Sequence, residues 1–176
     1  PEYLAPVGSL EHSFKQFLFF TLLILFSGCE VSAQTVWKET KISSFQTRSD
    51  ARMENLPESY SAYTLSTEVL RQQLKNAEMV NQRSVNTNGT YVELPVPNGQ
   101  PAMYHVVEQP VMEEGLMEKF PELKAYKGFL ANRPETQIWF TFSPYGFSAA
   151  ISDNGSVHYI DQLYQNDLET YIMYDV

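Results

Sequence analysis

Alternating apolar and polar positions characterise the chain from about residue 90 onward. Two such runs occur in "TYVELPVPNGQPAMYHVVEQ", and the Asn98-Gly99 pair between them is a strong hairpin signal. The segment "TQIWFTFSPYGFSAAIS" repeats this design, "SDNGS" turns the chain into "VHYID", and "ETYIMYD" is the last strand-like run. Because short turns join these runs, the pattern predicts antiparallel pairing, whereas parallel pairs need long crossovers.

A helix is predicted at residues 66–78, within "STEVLRQQLKNAEM". Ser66 or Thr67 can cap its first turn, and Glu68 lies where the helix dipole favours a negative charge. Its apolar face comprises Leu65, Val69, Leu70 and Leu74. Such a face must lie against another part of the protein.

A second, short helix is predicted near residues 112–120, inside the acidic stretch "VVEQPVMEEGLMEKFPELKAYKG". Met112, Leu116 and Phe120 fall four residues apart there, and a proline stands on either side. The segment "ELKAYKGF" then returns as a strand. Together these patterns predict an α+β fold, mainly an antiparallel sheet of hairpins with one longer and one short helix.

The acidic stretch is predicted to be scaffold rather than a chemical site. On a helix, Glu113 and Glu114 point in different directions, and Glu118 lies a turn further on. No two carboxylates therefore converge as acid–base catalysis or hard-metal binding requires. Its three methionines suit gap-filling in an apolar seam.

The N-terminal segment has the layout of a secretory signal peptide. In "KQFLFFTLLILF", Lys15 precedes an apolar run at 17–26, and the small residues of "SGCEVSAQ" follow. This run is shorter than the ~20 residues of a membrane-spanning helix. Glu2 and Glu11 are atypical, because the leading region of a signal peptide is normally basic. Residues 1–33 are therefore predicted to be a signal peptide with an atypical upstream extension.

Two processing routes remain open for this segment. Small residues favour cleavage between Ala33 and Gln34, whereas "FSGC" approximates a lipoprotein box in which Cys29 would be lipidated. Phe26 fits that box poorly, which favours ordinary cleavage. The expected location is secreted or cell-surface, with lipid anchoring through Cys29 as the alternative. After the signal peptide we expect an extended lead-in at 34–64 and one α+β domain at 65–176.

Composition and charge narrow the classes of function. The 176 residues are 43% hydrophobic and 14% aromatic, enough for one domain with a core. Acidic residues outnumber basic ones by 21 to 12, and no basic run interleaves with aromatics, which argues against nucleic-acid binding. Cys29 is the single cysteine. Cleavage after Ala33 would leave none, excluding disulfides and thiolate metal sites from the exported chain.

No pattern of catalytic or ligand-binding residues stands out in the sequence. Catalytic zinc usually needs three protein ligands, and the predicted exported chain has two histidines, His105 and His158, both in strand-like runs. Neither a G-x-S-x-G elbow nor a phosphate-cradling glycine loop occurs. We therefore assign no catalytic, cofactor-binding or metal-ligating residue. The aromatics Tyr104, Trp139 and Tyr159 could line a sugar-binding face, although aromatics in alternating strands are ordinarily core.

Several motifs in order resemble the N-terminal domain that precedes the catalytic domain in reprolysin-like (adamalysin-type) secreted zinc metallopeptidases of the Bacteroidetes. The matching segments are "LPVPNG" at 94–99, 107–128 with its "PVM" and "KAYKG" motifs, "FTFSPYGF" at 140–147, and "YIMY" at 171–174. The resemblance extends over most of the chain from about residue 37. It marks as structural positions Pro95, Gly99, Glu108, Pro110, Met112, Pro121, Tyr126, Gly128, Pro144, Gly146 and Phe147.

This resemblance implies a noncatalytic pro or accessory domain of an exported zinc metallopeptidase. Members of that family carry zinc in a peptidase domain with an "HExxHxxGxxH" motif, which is absent from these 176 residues. The implied partner is the cognate peptidase domain in cis. The implied role is as a folding aid or a steric inhibitor of that domain.

Two other classes of function remain as alternatives. A secreted or surface module that binds glycan or protein predicts exposed aromatics in a shallow cleft, whereas the prodomain hypothesis predicts them buried. A complete small enzyme would need convergent ionisable side chains.

Overall fold

A computed structural model describes residues 35–42, 49–80 and 89–175. The predicted signal peptide, with Cys29, Ala33 and Gln34, lies outside this range. Among the described residues, no helix is long and apolar enough to cross a membrane.

One antiparallel sheet of nine strands forms most of the described structure. The strands are β1 (Trp37–Thr40), β2 (Tyr60–Leu65), β3 (Thr90–Leu94), β4 (Ala102–Glu108), β5 (Lys124–Leu130), β6 (Arg133–Ser143), β7 (Gly146–Asp153), β8 (Ser156–Gln162) and β9 (Thr170–Asp175). Their order across the sheet is β1-β2-β9-β8-β7-β6-β5-β4-β3, so β1 and β3 are its edges. The helices are α1 (Thr67–Leu74) and α2 (Glu114–Lys119).

The predicted antiparallel sheet is confirmed, but the fold is mainly β, a curled sheet with two short helices, rather than α+β. The prediction of a helix over 66–78 was too long. The chain leaves α1 after Leu74, and the backbone at 78–80 instead pairs with the end of β4: Val80 N–H donates to Glu108 O at 2.8 Å. Pairing with a strand therefore replaces the last predicted turn of the helix.

The second helix is also shorter than predicted, and its packing differs. It spans six residues and has no buried side chain; Leu116 and Phe120 are 44% and 43% exposed. The apolar side of this helix, which was expected to be buried, is therefore largely exposed to solvent. Met112 lies before the helix and is half-buried.

The core lies on the inner face of the sheet, as the alternation in the strands predicts. Val92 and Leu94 of β3 and Tyr104 and Val106 of β4 are buried, whereas their neighbours in sequence are not. The same cluster includes Leu70 and Leu74 of α1, together with Tyr126, Ile138, Phe140, Phe147, Ile151 and Ile160. Helix α1 thus covers part of the inner face.

Residues 34–64, predicted to be an extended lead-in, contribute β1 and most of β2 to the sheet. Trp37 of β1 is 1% exposed and makes edge-to-face contacts with Phe147 at 5.0 Å and Tyr171 at 5.4 Å between ring centroids. Its buried Nε1–H has no hydrogen-bond partner among the described residues. Ring contacts of about 0.5–1.5 kcal/mol each are of the size needed to offset an unpaired donor, about 1–3 kcal/mol.

The two edge strands are linked through one carboxylate. Val36 N–H, just before β1, donates to Glu93 Oε2 of β3 at 2.9 Å. Gln73 of α1 accepts a hydrogen bond from the backbone N–H of Glu93 at 3.1 Å, which occupies a donor on the open edge of β3. Because β1 and β3 are at opposite ends of the strand order, these contacts require the sheet to curl.

Two turns use the left-handed backbone that the sequence favours there. Asn154 and Gly155 both have positive φ, 48° and 85°, between the paired residues Asp153 and Ser156. Positive φ at both central positions is the tight hairpin turn whose twist matches the strands. Asn98 also has positive φ, 56°, although its loop joins β3 to β4 over 95–101 rather than through two residues.

Candidate functional site

The ionisable residues considered in the sequence do not meet. His105 lies on the outer face of β4, between the rings of Tyr91 and Phe129, each with its centroid 5.3 Å from the imidazole. His158 is an inner-face residue of β8, since it pairs with buried Ile151. Strands β5, β6 and β7 separate the two histidines.

The acidic residues of the 106–128 segment remain apart as well. Glu113 precedes α2, and Glu114 and Glu118 belong to it; all three are exposed. In the described part of the chain, no group of three or more His, Cys, Asp or Glu side chains is placed to hold a metal ion. Glu108 instead forms an ion pair with Lys124, which ties the start of β5 to the end of β4.

Several residues that the resemblance marks as structural make packing or hydrogen-bond contacts between strands. The ring of Tyr126 stacks on Phe140 at 4.8 Å, and Phe140 stacks on Phe147 at 5.3 Å. The backbone N–H of Phe147 donates to the buried hydroxyl of Tyr171 at 3.1 Å. Gly146, with φ 128°, leaves room for the side chain of Gln162. These contacts connect the β6–β7 hairpin to β5, β8 and β9.

The other marked positions lie mostly in connections. Pro95 O accepts a hydrogen bond from the Tyr104 hydroxyl at 3.3 Å, which fixes the base of the β3–β4 loop. Gly99 N–H donates to Val96 O within that loop. Three of the marked prolines are exposed: Pro110 before α2, Pro121 after it, and Pro144 in the β6–β7 turn.

A shallow groove on the outer face of the sheet is a candidate binding site because it is lined by exposed aromatic rings. Trp139 of β6, Ala150 of β7 and Tyr159 of β8 are in register across three strands. Trp139 is 46% exposed and Tyr159 is 37% exposed. Since adjacent strands are about 4.8 Å apart, the backbones that carry the two rings are separated by about 10 Å, with a small residue between them.

The connection from β4 to α2 also lines this groove. Gln109 and Val111 line it, and Val111 is 68% exposed. The groove has a volume of about 350 Å³ and is mainly apolar. Gln109 is held in place because its backbone N–H donates to Ala125 O at 2.8 Å.

A polar network lies beside the aromatic wall. The Ser148 hydroxyl donates to Asp161 Oδ1 at 2.8 Å, and the Tyr174 hydroxyl donates to Asp161 Oδ2 at 3.0 Å. Partial burial, followed by the charge of Asp161 and its hydrogen bond, raises the pKa of Tyr174 to about 12. Tyr174 therefore remains a neutral donor and keeps the carboxylate oriented along the edge of the groove.

The sequence identified part of this groove. Of the three aromatics considered for a sugar-binding face, Tyr104 is fully buried, whereas Trp139 and Tyr159 are exposed. Exposed aromatics in a shallow cleft are what the binding-module alternative predicts, and the burial that the prodomain hypothesis predicts is found for Tyr104 but is wrong for Trp139 and Tyr159. The alternating pattern of β6 indicates the exposure of Trp139, because this residue stands between Ile138 and Phe140, which are both buried.

The contribution of Val111 is not evident from the sequence. The stretch around it is predicted to be scaffold, and nothing in its local pattern indicates that Val111 lines a groove with residues of β6, β7 and β8. Comparison of the chain with protein-family models, with curated proteins and with solved structures gives no match.

Proposed function

We propose that this chain is a noncatalytic accessory domain of an exported zinc metallopeptidase and that it acts by binding through the outer-face groove. One observation carries the proposal. Val111, in one of the segments that resemble the family, is exposed and lines one groove together with Trp139 and Tyr159. The residues that suggest the family and those suited to binding thus converge on one surface.

The groove suits an apolar polypeptide segment of the peptidase domain. Exposed apolar surface that is lined by aromatic residues is typical of protein-binding sites, where tryptophan and tyrosine often dominate the binding energy. A groove of this size supports modest affinity. Attachment in cis would suffice, because a short linker produces effective concentrations in the millimolar range. Zinc and the catalytic residues would belong to the peptidase domain.

The coding sequence provides the first test. Reading beyond the codon for Val176 is expected to reveal a zinc-binding histidine motif, and a stop codon at that point would overturn the assignment to a peptidase. The same reading defines the peptidase domain needed for a direct assay.

The direct assay adds the purified chain in trans to the peptidase domain. Saturable slowing of peptide cleavage is expected, and Trp139→Ala should weaken it about tenfold or more, as for a central aromatic of an interface. Tyr145→Ala is the matched control, because Tyr145 is 75% exposed at a hairpin tip outside the groove. Equal weakening by both variants would contradict a role for the groove.

A folding aid is distinguished from a steric inhibitor by measuring how much active peptidase is recovered on refolding. The denatured peptidase domain is refolded with and without the chain. If the chain assists folding, its presence should raise the yield of active enzyme. Faster or more complete refolding without slowed cleavage supports assistance. Slowed cleavage with unchanged refolding supports steric inhibition.

Glycan binding is a second candidate, favoured by the paired exposed rings of Trp139 and Tyr159 with the Ser148–Asp161 network beside them. Sugar rings present an apolar face to aromatics and hydroxyls to polar neighbours. Affinity electrophoresis in gels that contain polysaccharides tests it. Retardation that Trp139→Ala abolishes, together with no effect on the peptidase domain, would replace the docking role with glycan recognition.

Export and processing are part of the proposal. Expression of the whole chain in a bacterial secretion host should give a mature protein that begins at Gln34, as measured by intact-mass spectrometry. A lipid-modified N-terminus at Cys29, lost in Cys29→Ser, would instead establish the lipoprotein route. Retention of residues 1–33 in exported protein would contradict both.

A further inference from the structure

A second pocket, distinct from the groove, lies between the end of α1 and the start of β5. Arg71 and Lys75 line it from the helix side, and Lys124 lines it from β5. Its floor is apolar and includes Leu74 and Phe142, both buried. The pocket has a volume of about 350 Å³.

Cationic side chains outnumber carboxylates in the lining of this pocket. Arg71, Lys75 and Lys124 line it with one carboxylate, Glu122, but Arg71 and Lys124 are paired with Glu68 and Glu108, which lie outside the lining. The positive charge left to favour an anionic ligand at this position is therefore mainly that of Lys75.

The cations are held in different ways. The Arg71 guanidinium lies over the ring of Phe142, 5.1 Å from its centroid, and its ion pair with exposed Glu68 is long at 3.9 Å. Exposed ion pairs of this kind contribute little to the stability of the fold. Lys124 is paired with Glu108. Lys75 forms no ion pair with any described residue, so its ammonium group is available to a ligand.

A neutral donor completes the pocket. Tyr126 is 4% exposed, and its hydroxyl makes no hydrogen bond to another described residue. Burial, and then the nearby charge of Glu108, raise the pKa of Tyr126, an effect that Arg71 opposes. The phenol therefore remains protonated and can donate to an oxygen atom.

We infer that this pocket binds a carboxylate carried on an apolar group, such as a small aromatic acid or the C-terminal residue of a peptide. The carboxylate would lie between Lys75 and Arg71, and its apolar body would contact Leu74 and Phe142. The pocket shares Tyr126 with the lining of the outer-face groove, but Arg71, Lys75 and Phe142 do not line that groove.

A titration of the whole chain, followed by NMR, tests this inference. The probes are 3-phenylpropanoate, N-acetylphenylalanine and the neutral 3-phenylpropanamide. The acids should give saturable shifts at Lys75 and Tyr126 and should bind about tenfold more tightly than the amide, because hydrogen bonds to a charged group contribute about 1.5–3 kcal/mol. Tighter binding of N-acetylphenylalanine would identify a peptide end as the better source of the carboxylate.

Charge variants provide the matched comparison. Lys75→Gln should weaken binding of the acids several-fold and leave binding of the amide unchanged, whereas Lys38→Gln, the same change at an exposed position of β1, should alter neither. Arg71→Gln is a second variant, and the spectra report whether each protein is folded. Equal affinity for acid and amide, or equal effects of Lys75→Gln and Lys38→Gln, would overturn the inference.

Discussion

At Gly128, strands β4 and β5 approach so closely that a β-carbon has no room. A Cβ built there would lie 2.4 Å from the backbone O of His105 and 2.7 Å from Cγ1 of Val106. Gly115 of α2 is the opposite case, because a built Cβ there has no described atom within 4 Å. The neighbours of Gly128 therefore leave no space for a larger residue in β5, whereas Gly115 in α2 has space for one.

These two glycines predict opposite responses to the same change. Gly128→Ala should lower the free energy of unfolding by about 1–3 kcal/mol, because the backbone of β4 must move. Gly115→Ala should leave stability unchanged or raise it by up to about 1 kcal/mol, since alanine favours helix. Urea denaturation measures both. A Gly128→Ala protein as stable as the original would show that the strands can separate at no cost.

At the scale of elements, α1 and the two edge strands depend on one another. Gln73 of α1 and the Glu93 carboxylate of β3 connect the helix, β3 and the residue that leads into β1. Edge strands expose unpaired backbone groups, and these side chains occupy some of them. The acidic segment with α2, in contrast, buries no helical side chain and stays on the surface.

Glu93→Ala should therefore loosen β1 more than the rest of the sheet. Its loss leaves the Val36 N–H without its acceptor, which should cost about 1–3 kcal/mol and raise hydrogen exchange at Val36 and in β1. Glu135→Ala, on the exposed side of β6, is the control and should change neither. Uniform exchange in both variants would contradict this role for Glu93.

At the scale of the whole molecule, buried phenols couple stability to alkaline pH. Burial is the main cause that raises the pKa of Tyr104, Tyr126 and Tyr171, the last to about 12 from an ordinary value of 10.0. The folded state thus holds these protons more tightly than the unfolded state. The resulting stabilisation is fully present below about pH 10 and is lost as pH rises through the folded values.

Denaturation measured from pH 8 to pH 12 should show this loss. Tyr171→Phe is expected to be less stable at neutral pH, because the Phe147 N–H loses its acceptor, yet to lose less stability between pH 10 and 12. An alkaline loss as steep as that of the original chain would show that Tyr171 is not one of the groups responsible.

Local pattern predicted the strands, their antiparallel pairing and most of the core. The period of two assigned Val92 and Tyr104 to the inner face, and Asn154-Gly155 specified its own turn, because these depend on neighbours within a few residues. Helix lengths were less predictable. Residues 78–80 have a competing partner in β4, and α2 has no core contact, so propensity alone did not set their ends.

By itself, then, the sequence determined that this chain folds as an antiparallel sheet with an aromatic core. Only the tertiary structure decided that Trp37 joins that core, that Val111 lines a groove with Trp139, and that Arg71, Lys75 and Lys124 share a pocket. The physical reason is that alternation fixes the face on which a side chain lies. The curl of the sheet and its loop contacts fix which distant residues meet on that face.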